Sequence, residues 1–503
     1  MIVGIDIGTQ SLKVAIANHA LKVLGEASTS YRASFPQPGW AEQDPLLWER
    51  ALGPTIARAL GAAGASSNQI AAVGLCGQLD GCIAVDAAGK ALTTCLIWMD
   101  RRAQLEIADI SPTLVRTRAG VVLDASHMAA KVRWLKRHDL GAAAVRFHQP
   151  VSYLVEQLTG RAVMDHALAS TTMVYGIDQQ QFDATLLESF EIDKDELPAI
   201  ADAASCAGPL SQRGADLTGL PAGIPVAVGT GDDFSTPLGA GLLTPGSLAV
   251  VLGTGEVVGA VHTRPAIDSH GLVETHAYPG GAYFLENPGW LAGGAVAWLC
   301  DLLGVEGFDK LDAEAAMAPP GADGVTFIPA LNGALAPEWH ANARGCFYGL
   351  TPSHGRPHLA RAIMEGCAFA MRDVADRLRD MGVEAHHLLL LGGGARSRLW
   401  PQIRADVAGM PALVPRRVDT SPIGAAMLAA VAAGLVDDLK AAAELVREPV
   451  TPRVPSKGTK EAYEQAYGRY RRLFDSLKPM FDGTVSSIEA PRTARTGRKA
   501  NTR

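Results

Sequence analysis

The sequence predicts an α/β protein built from two domains with a cleft between them. The chain has 503 residues, more than one compact hydrophobic core normally accommodates, so two large domains are expected. Strand-like and helix-like segments alternate along the chain, as they do in α/β proteins. A strand that runs into a Gly-Thr turn occurs once in each half, at residues 5–9 and 251–254. This weak internal repeat predicts one ligand-binding turn in each domain, with the ligand held between them.

Five apolar, strand-like runs each lead into a glycine-containing turn, the position at which α/β proteins place ligands. They are residues 2–7, 70–75, 225–228, 248–252 and 387–391.

Six stretches have helical periodicity. They are residues 47–63, 127–138, 292–303, 357–379, 421–433 and 461–481. We expect an N-terminal domain over residues 1–240, a C-terminal domain over 241–440 and a helical extension over 441–481. Residues 482–503 are rich in Ser, Thr and Arg without apolar periodicity, so they are predicted to form a disordered, solvated tail.

The composition favours a small-molecule partner. The net charge of -7 and the pI of about 6.0 offer no general attraction to nucleic acid or to an anionic membrane. The seven cysteines form no CxxC pair and are expected to be reduced thiols. The N-terminus does not resemble a signal peptide, and the apolar run 425–436 is too short to span a bilayer. A cytoplasmic location is therefore expected.

Two short turns are candidates for binding phosphate. The chain has neither a P-loop nor a Gly-x-Gly-x-x-Gly after a strand, which argues against P-loop kinases and Rossmann dehydrogenases. The turns Gly8-Thr9-Gln10 and Gly253-Thr254-Gly255 allow close approach of backbone N–H groups to a phosphate, and threonine adds a hydroxyl donor. Either turn alone could be an ordinary strand end.

Three further features could carry chemistry. Asp6 could face a phosphate if Mg²⁺ stood between them, or it could simply bond turn amides. Asp232 and Asp233 follow a buried strand, and because side chains alternate along a strand, only one is expected in the cleft, where it could act as a base. The alternative is a pair that caps the loop. The turn Gly393-Gly394-Ala395 could hold an adenine ring or be a plain tight turn.

Taken together, these residues resemble a known family, the FGGY carbohydrate kinases. The resemblance covers roughly residues 1–435, and within the family it is strongest to the xylulokinases. It rests on Gly4-Ile5-Asp6-Ile7-Gly8-Thr9, Gly39-Trp40-Ala41-Glu42-Gln43-Asp44-Pro45, Trp98-Met99-Asp100-Arg101, Gly229-Thr230-Gly231-Asp232, Arg344-Gly345-Cys346-Phe347-Tyr348-Gly349-Leu350 and Gly392-Gly393-Gly394-Ala395.

The resemblance implies two actin-like, ribonuclease-H-like domains that close around ATP and a sugar, and it suggests a homodimer. It implies that the N-terminal domain binds the sugar and the C-terminal domain the nucleotide. The implied reaction is ATP-dependent phosphorylation of a small sugar, D-xylulose first, or of another ketose or a small polyol such as ribulose, erythritol or glycerol.

The resemblance also implies roles for individual residues. The catalytic residues would be Asp232 as base and Asp6 beside Mg²⁺, with water between Asp6 and the ion. The substrate would meet Gln78, Leu79, Asp80, Trp98 and Asp233, and ATP would meet Gly8, Thr9, Gln10, Gly253, Thr254, Gly255, Gly393, Gly394 and Ala395.

The chain departs from the family pattern at several positions. Asp80 stands where xylulokinases usually have histidine, so an acceptor-only carboxylate replaces a ring that can donate and accept. Asp233 stands where asparagine is common. Glu256 is expected to add a negative charge near phosphate.

Two other function classes remain open from the sequence. An actin-like ATPase would turn over ATP without sugar, but the Gly-x-Gly-Asp loop and the segment at Gln78 argue against it. A catalytically silent sugar sensor would not need both Asp6 and Asp232.

Overall fold

The computed structural model describes residues 1–141 and 143–483. The strands are β1 (Ile2–Ile7), β2 (Ser11–Ala17), β3 (Val23–Ser30), β4 (Glu42–Gln43), β5 (Ala72–Gly77), β6 (Ile83–Val85), β7 (Cys95–Leu96), β8 (Arg146–His148), β9 (Val163–Asp165), β10 (Tyr175–Gly176), β11 (Gln181–Phe182), β12 (Ala199–Ala201), β13 (Cys206–Pro209), β14 (Pro225–Ala227), β15 (Thr230–Gly231), β16 (Gly246–Leu252), β17 (Gly255–His262), β18 (Glu274–Tyr278), β19 (Ala282–Leu291), β20 (Thr326–Ile328), β21 (Cys346–Tyr348), β22 (Ala385–Leu391) and β23 (Ala412–Leu413).

The α-helices alternate with these strands. They are α1 (Pro45–Ala63), α2 (Pro112–Ala119), α3 (Met128–Arg137), α4 (Pro150–Thr159), α5 (His166–Ser170), α6 (Ala184–Ser189), α7 (Gln212–Thr218), α8 (Asp232–Gly239), α9 (Gly293–Leu303), α10 (Phe308–Ala315), α11 (Arg356–Asp380), α12 (Trp400–Ala408), α13 (Ser421–Ala432), α14 (Leu439–Val446) and α15 (Lys460–Gly483).

Two large mixed sheets share the same central topology. The N-terminal sheet has the order β13-β14-β5-β1-β2-β3, with β15 also paired to β5, and the C-terminal sheet has the order β18-β19-β17-β16-β22-β23. In the first sheet β1 is antiparallel to β2 and parallel to β5. In the second, β16 is antiparallel to β17 and parallel to β22. The internal repeat expected from the two Gly-Thr turns therefore corresponds to two copies of one strand arrangement.

The predicted strands and helices are all present, with small differences at their ends. The largest difference is at the strand predicted for residues 70–75. The observed strand β5 runs from Ala72 to Gly77, so it includes a glycine that the sequence assigns to the turn. Pairing explains the extension, since Ile7 at the end of β1 lies opposite Gly77 in a parallel register. The predicted tail lies outside the described residues from position 484 onward.

Helix α13 joins the C-terminal part of the chain to the N-terminal sheet. A Cβ atom added at Gly4 would lie 1.8 Å from the carbonyl oxygen of Pro422, and one at Gly74 would lie 1.9 Å from that of Ala425. The helix therefore rests directly on the backbones of β1 and β5, a contact that no larger side chain at these two positions permits. This contact brings the start of α13 next to Asp6.

Helix α15 packs as its apolar spacing predicted. Its residues Tyr463, Tyr467 and Tyr470 surround Phe369 of α11, with ring centroids 5.6–6.4 Å apart. Within residues 1–141 and 143–483, no helix combines the length and apolar character that crossing a membrane requires.

Candidate active site

The two predicted catalytic aspartates come from neighbouring strand ends. Asp6 is in β1, and Asp232 is the first residue of α8, directly after β15. Both β1 and β15 pair with β5 in parallel, and Ile7 and Gly231 flank Gly77 from opposite sides. The carboxyl ends of the three strands therefore meet, which places both aspartates at one edge of the N-terminal sheet.

Asp6 is buried but incompletely bonded. The hydroxyl of Ser421 donates to its Oδ2 over 2.6 Å, and Lys13 Nζ lies 3.6 Å from the same oxygen. Its Oδ1 is buried without a hydrogen-bond partner in the described chain. Burial raises the pKa of Asp6, while Lys13 and Ser421 oppose that shift. A buried carboxylate oxygen of this kind can accept a water or a cation.

Asp232 and Asp233 are the first two residues of a helix, not part of a strand. The alternation expected for them does not apply, and both side chains are half-buried. Burial raises the pKa of Asp232 well above its usual range, and Asp233 and Asp6 add repulsion. Burial raises the pKa of Asp233 to about 6, with His276 opposing the shift and Asp80 adding to it. An aspartate with a raised pKa at such a site is a better proton acceptor than a free one.

The segment after β5 is held in an unusual conformation. Asp80 has a φ of 60°, which is rare for a residue with a side chain. Its N–H donates to Gln149 Oε1 over 2.8 Å, and its carbonyl accepts from Lys131 Nζ over 2.6 Å. Its Oδ1 lies 3.1 Å from His127 Nδ1. The bonds to Gln149 and Lys131 hold the backbone of Asp80 in this conformation, and His127 contacts one of its carboxylate oxygens.

Leu79 lies beside the turn that leads to Asp232. A Cβ atom added at Gly231 would come within 2.8 Å of Leu79 Cδ2. The structure therefore brings Leu79, Asp80, Asp232 and Asp233 together.

Gln78 and Trp98 are bonded to the first turn. Trp98 Nε1 donates to Thr9 Oγ1 over 2.9 Å, and Thr9 Oγ1 lies 3.4 Å from Gln78 Oε1. Gln43 Nε2 donates to the carbonyl of Thr9 over 2.6 Å, and Gln43 Oε1 accepts from Gln78 Nε2 over 2.7 Å. These contacts make Gln78 a buried support of the turn, while Trp98 keeps 44% of its surface exposed.

The tryptophan-containing motifs form a network of polar and cation–π contacts that supports this turn. Asp100 Oδ2 accepts from the N–H of Ala41 over 2.7 Å and pairs with Arg102. The Arg102 guanidinium lies 3.6 Å from the centre of the Trp40 ring, a close cation–π contact. Asp44 caps α1 by accepting from the N–H of Leu46. These residues hold the segment that carries Gln43.

The second Gly-Thr turn is open to solvent and rests on a helix. Gly253, Thr254 and Gly255 are exposed. The carbonyl of Thr254 accepts from the N–H of Gly294 at the start of α9 over 2.9 Å. A Cβ atom added at Gly293 would lie 2.2 Å from the carbonyl oxygen of Gly253. The turn is therefore held close against α9 while its outer side stays accessible.

The predicted adenosine turn lies next to it. Gly393 to Arg396 form a 3₁₀ turn after β22, and Val251 of β16 pairs with Leu391. A Cβ atom at Gly393 would meet nothing within 4 Å, which leaves room for a flat ring. The side chain of Ala395 is buried, at 1% exposure, so only its backbone can face a ligand.

Glu256 does not add charge near phosphate, contrary to the expectation from sequence. Both of its carboxylate oxygens pair with the guanidinium of Arg404 on α12, and both residues are fully buried. Burial raises the pKa of Glu256, while Arg404 opposes that shift. The pair joins the second Gly-Thr turn to the helix that follows the adenosine turn.

Sequence reasoning missed four buried residues near the sugar segment: His127, Glu274, His276 and Glu286. Glu274 and His276 lie two apart on β18, and Glu286 lies opposite Glu274 on β19. The available signal is two titratable residues, Glu274 and His276, on one face of a fully buried strand. Their position near Asp80 follows only from the packing of the two halves of the chain.

Comparison with known proteins identifies the family. Residues 1–239 match the N-terminal domain of the FGGY family of carbohydrate kinases, and residues 248–433 match its C-terminal domain. The chain is 30% identical to a xylulose kinase from Escherichia coli (strain K12), over 95% of this chain and 100% of that protein. It is 34% identical to a glycerol kinase from Gloeobacter violaceus, over 93% and 94% of the two chains.

Its structure is also similar to one described as a xyloylose kinase from Brucella ovis, with a TM-score of 0.87 and 28% identity over 95% of this chain and 99% of that one. The resemblance noted from sequence is thus confirmed. The chain belongs to the FGGY family of carbohydrate kinases, enzymes with two actin-like domains that use ATP as a substrate.

Proposed function

We propose that this kinase transfers the γ-phosphoryl group of ATP to a hydroxyl group of a small neutral sugar or polyol, with Asp232 as the base. The convergence of Asp6 and Asp232 at the ends of β1 and β15, beside the sugar segment, is the observation that carries the proposal. The names of the relatives support D-xylulose, with D-xylulose 5-phosphate as product, and glycerol-like polyols as acceptors. Ribulose and erythritol belong to the same two classes.

The proposed mechanism follows from positioning and charge. The acceptor lies against Leu79, Asp80 and Asp233, and Asp232 takes the proton of the attacking hydroxyl, which raises its nucleophilicity. Backbone N–H groups of the turns at Gly8 and Gly253 stabilise charge on the phosphates. Contact between the two domains around the substrates excludes water, so that transfer to water is suppressed.

Asp6 fits a role beside magnesium. Kinases hold Mg²⁺ through one or two carboxylates, waters and the phosphates of the substrate, without a complete protein cage. The described residues contain no group of three side chains that could hold a metal, and Asp6 Oδ1 has no partner among them. Mg²⁺ bound there, through Asp6 or a water on it, would neutralise charge on the phosphates.

The test of the proposed base is Asp232→Asn. A general base typically contributes about 10²- to 10⁴-fold to a rate, so kcat should fall by that factor while the fold is retained. The measurement is ADP release with MgATP over a panel of ketoses, polyols and glycerol, with a no-sugar control. Asp438→Asn is a matched control, because Asp438 caps α14 through the N–H of Ala441 and asparagine caps equally well.

The outcomes separate the alternatives. A near-wild-type rate for Asp232→Asn would remove it from the role of base. ADP release that does not depend on sugar would favour an actin-like ATPase, and sugar binding without transfer would favour a sensor. Relatives that match nearly the whole chain and are kinases argue against both.

A further inference from the structure

A large cavity lies between the two halves of the chain, away from both Gly-Thr turns. Its volume is about 770 Å³, which is within the range of pockets that bind small organic molecules. The residues that line it come from five segments: 20–23, 240–247, 386–389, 413–423 and 445–450. The proposed phosphoryl transfer makes no use of this cavity.

The cavity and the predicted ATP turns lie at opposite edges of the C-terminal sheet. Ser247 at the start of β16 and His387 near the start of β22 line the cavity. The two strands are parallel, and the turns at Gly253 and Gly392 follow their other ends. Because β16 has seven residues, the two edges are about 20 Å apart. A ligand in the cavity would therefore leave the space for ATP free.

Stretches of chain that pass between the two large sheets line the cavity. Residues 240–247 lead from α8 to β16, and residues 413–421 lead from β23 to α13, which rests on the N-terminal sheet. Residues 445–453 lead back from α14 to Arg453, whose backbone exchanges hydrogen bonds with Ala412 of β23. Movement of one domain against the other is therefore expected to change the shape of the cavity.

One buried residue of the lining, Thr420, connects the cavity to the candidate catalytic aspartates. Its hydroxyl donates to the carbonyl of Thr236 in α8 over 2.6 Å, and α8 begins with Asp232. The next residue, Ser421, donates to Asp6 over 2.6 Å. The cavity and the catalytic edge thus share one joint, between α8 and the start of α13.

The charged side chains of the lining favour an anion. Lys22, Arg417 and Arg447 line the cavity together with one carboxylate, Glu448. Glu448 Oε2 already accepts from the N–H of Arg416 over 3.1 Å. Three cationic groups from different segments therefore face one carboxylate that has a protein partner.

Both guanidinium groups can exchange their present partners for a ligand. Arg417 pairs with Glu26, and Arg447 pairs with Glu444, but each of these four side chains is at least 35% exposed. Exposed ion pairs of this kind contribute little. A phosphate or carboxylate can instead be held by a planar guanidinium through two parallel hydrogen bonds.

The cavity also has an apolar surface that a charged group alone would not use. Its apolar lining residues include Leu21, Leu242, Leu389, Leu413 and Ile423. Leu242 and Leu389 are 7% and 8% exposed, so this part of the lining is largely shielded from water. The combination suits a ligand with an acid group at one end and an apolar body at the other.

We propose that this cavity is an effector site for an organic anion, a small molecule that carries a phosphate or carboxylate group on an aromatic or aliphatic body. A ligand that fits one arrangement of the two domains better than another shifts the balance between them. Because the cavity and the catalytic edge share a joint, such a ligand changes the affinity for ATP, and ATP changes the affinity for the ligand by the same factor.

The binding test uses 1-naphthyl phosphate as the probe in calorimetric titrations. The enzyme is saturated with MgADP, so that the nucleotide turns are already filled. We expect the probe to bind about tenfold or more tightly than inorganic phosphate, which lacks the body, or 1-naphthalenemethanol, which lacks the charge. 1-Naphthoate should also bind, and the preference between the two acids identifies the class of the natural anion.

Two changes to the lining test where the probe binds. The double variant Lys22→Met with Arg417→Met removes two cationic groups and should raise the Kd of the probe about tenfold or more. Thr244→Trp places a ring at an exposed position of the lining and should weaken binding by occupying space. Lys310→Met is the matched control, because Lys310 is 64% exposed on α10 and lies outside the cavity. It should leave the Kd unchanged.

Steady-state kinetics test the link to ATP. A saturating concentration of 1-naphthyl phosphate should change kcat/KM for ATP about threefold or more in the wild type. The same concentration should have no effect in the double variant with Lys22→Met and Arg417→Met. An effect that persists in that variant would mean that the probe acts at the nucleotide turns, and this would overturn the inference.

The inference also fails if 1-naphthalenemethanol binds as tightly as the acids, or if the Kd of the probe is the same in the wild type, the double variant and Thr244→Trp. Loss of the proposed function is a separate outcome, seen when no acceptor is phosphorylated. The Kd of the probe still tests the cavity in that case, and calorimetric binding of MgADP with and without the probe replaces the kinetic measurement. An unchanged affinity for the nucleotide would overturn the effector role.

Discussion

The two Gly-Thr turns are copies of one backbone arrangement with different side chains. Asp6 stands two residues before Gly8, and Val251 stands two residues before Gly253. In the first turn Thr9 is bonded to Gln43 and Trp98. The second turn is exposed, and the residue that follows it, Glu256, is neutralised by Arg404.

This difference separates two tasks that similar backbones can perform. Both turns present N–H groups to a ligand, as a strand end with glycine does. Only the first copy adds an acidic group, and it does so next to Asp232. We propose that the second copy contributes binding alone, while the first contributes both binding and the charges needed for transfer. This interpretation can be tested one residue at a time.

The largest expected effect is on stability, in the second copy. In Arg404→Met the Glu256 carboxylate stays buried without its partner, which should cost about 3–5 kcal/mol in the free energy of unfolding. Because burial already raises the pKa of Glu256, loss of Arg404 raises it further, and the folded state then binds a proton that the unfolded state does not. The loss should therefore be smallest at low pH and grow as pH rises. Denaturant titration at several pH values measures it.

Two variants control for this measurement. Arg356→Met breaks a pair with Glu314 in which the arginine is half-exposed, so it should cost about 1 kcal/mol or less. The double variant Arg404→Met with Glu256→Leu removes both charges and should recover most of the loss. A single variant as stable as Arg356→Met would contradict the structural role of the buried pair.

The next effect is on catalysis, in the first copy. Asp6→Asn keeps the shape of the side chain and an acceptor for Ser421 but removes the charge. We expect kcat to fall by about 10²- to 10³-fold, as when one electrostatic contact to the transition state is lost. Val251→Thr at the matching position should change kcat by less than about tenfold. Steady-state kinetics with saturating ATP distinguish the two. Equal losses would mean that the two copies share the catalytic task.

Part of this site could be predicted from sequence because it depends on local patterns. Apolar runs that end at Gly8, Gly253 and Gly392 predict the ends of strands. Strand ends at one edge of a sheet lie close together, and this places Asp6 near Asp232. The other part depends on contacts between distant segments. From sequence Glu256 is expected to be a free charge, because its partner Arg404 lies far along the chain.

Two other features of the site differ from what the sequence predicts. Strand alternation predicts that Asp232 and Asp233 point to opposite faces, but a helix starts at Asp232, so that alternation does not apply, and both side chains are half-buried. The surroundings of Asp80 could not be predicted, since His127 and Glu274 reach it from separate elements. A sequence pattern predicts the carboxylate but not the groups that hold it.

A smaller effect concerns pH and tests the acidic surroundings of the first copy. Asp232 must be ionised to accept a proton, so kcat/KM for the acceptor should rise with pH to a plateau. The charge of Asp233 raises the pKa of Asp232. Asp233→Asn should therefore move the rising limb to lower pH. Because the pKa of Asp233 is itself raised to about 6, the difference should be clearest above pH 6. Asp438→Asn should not move the limb, and a shift to higher pH would contradict the repulsion between the two aspartates.

The smallest effect tests whether the bonds that hold the first turn contribute to ATP binding. Trp98→Phe removes the N–H donor to Thr9 Oγ1 and keeps most of the ring. One neutral hydrogen bond at a half-exposed position is worth about 0.5–1.5 kcal/mol, so KM for ATP should rise by about two- to tenfold with little change in kcat.

Trp298→Phe is the matched control in the second copy, since Trp298 is 38% exposed on α9 and should leave KM for ATP within about twofold. If Trp98→Phe instead lowers kcat and leaves KM for ATP unchanged, the first turn acts on the transferring group alone. The separation of binding and catalysis between the two copies would then be complete, because ATP affinity would depend on the second turn only.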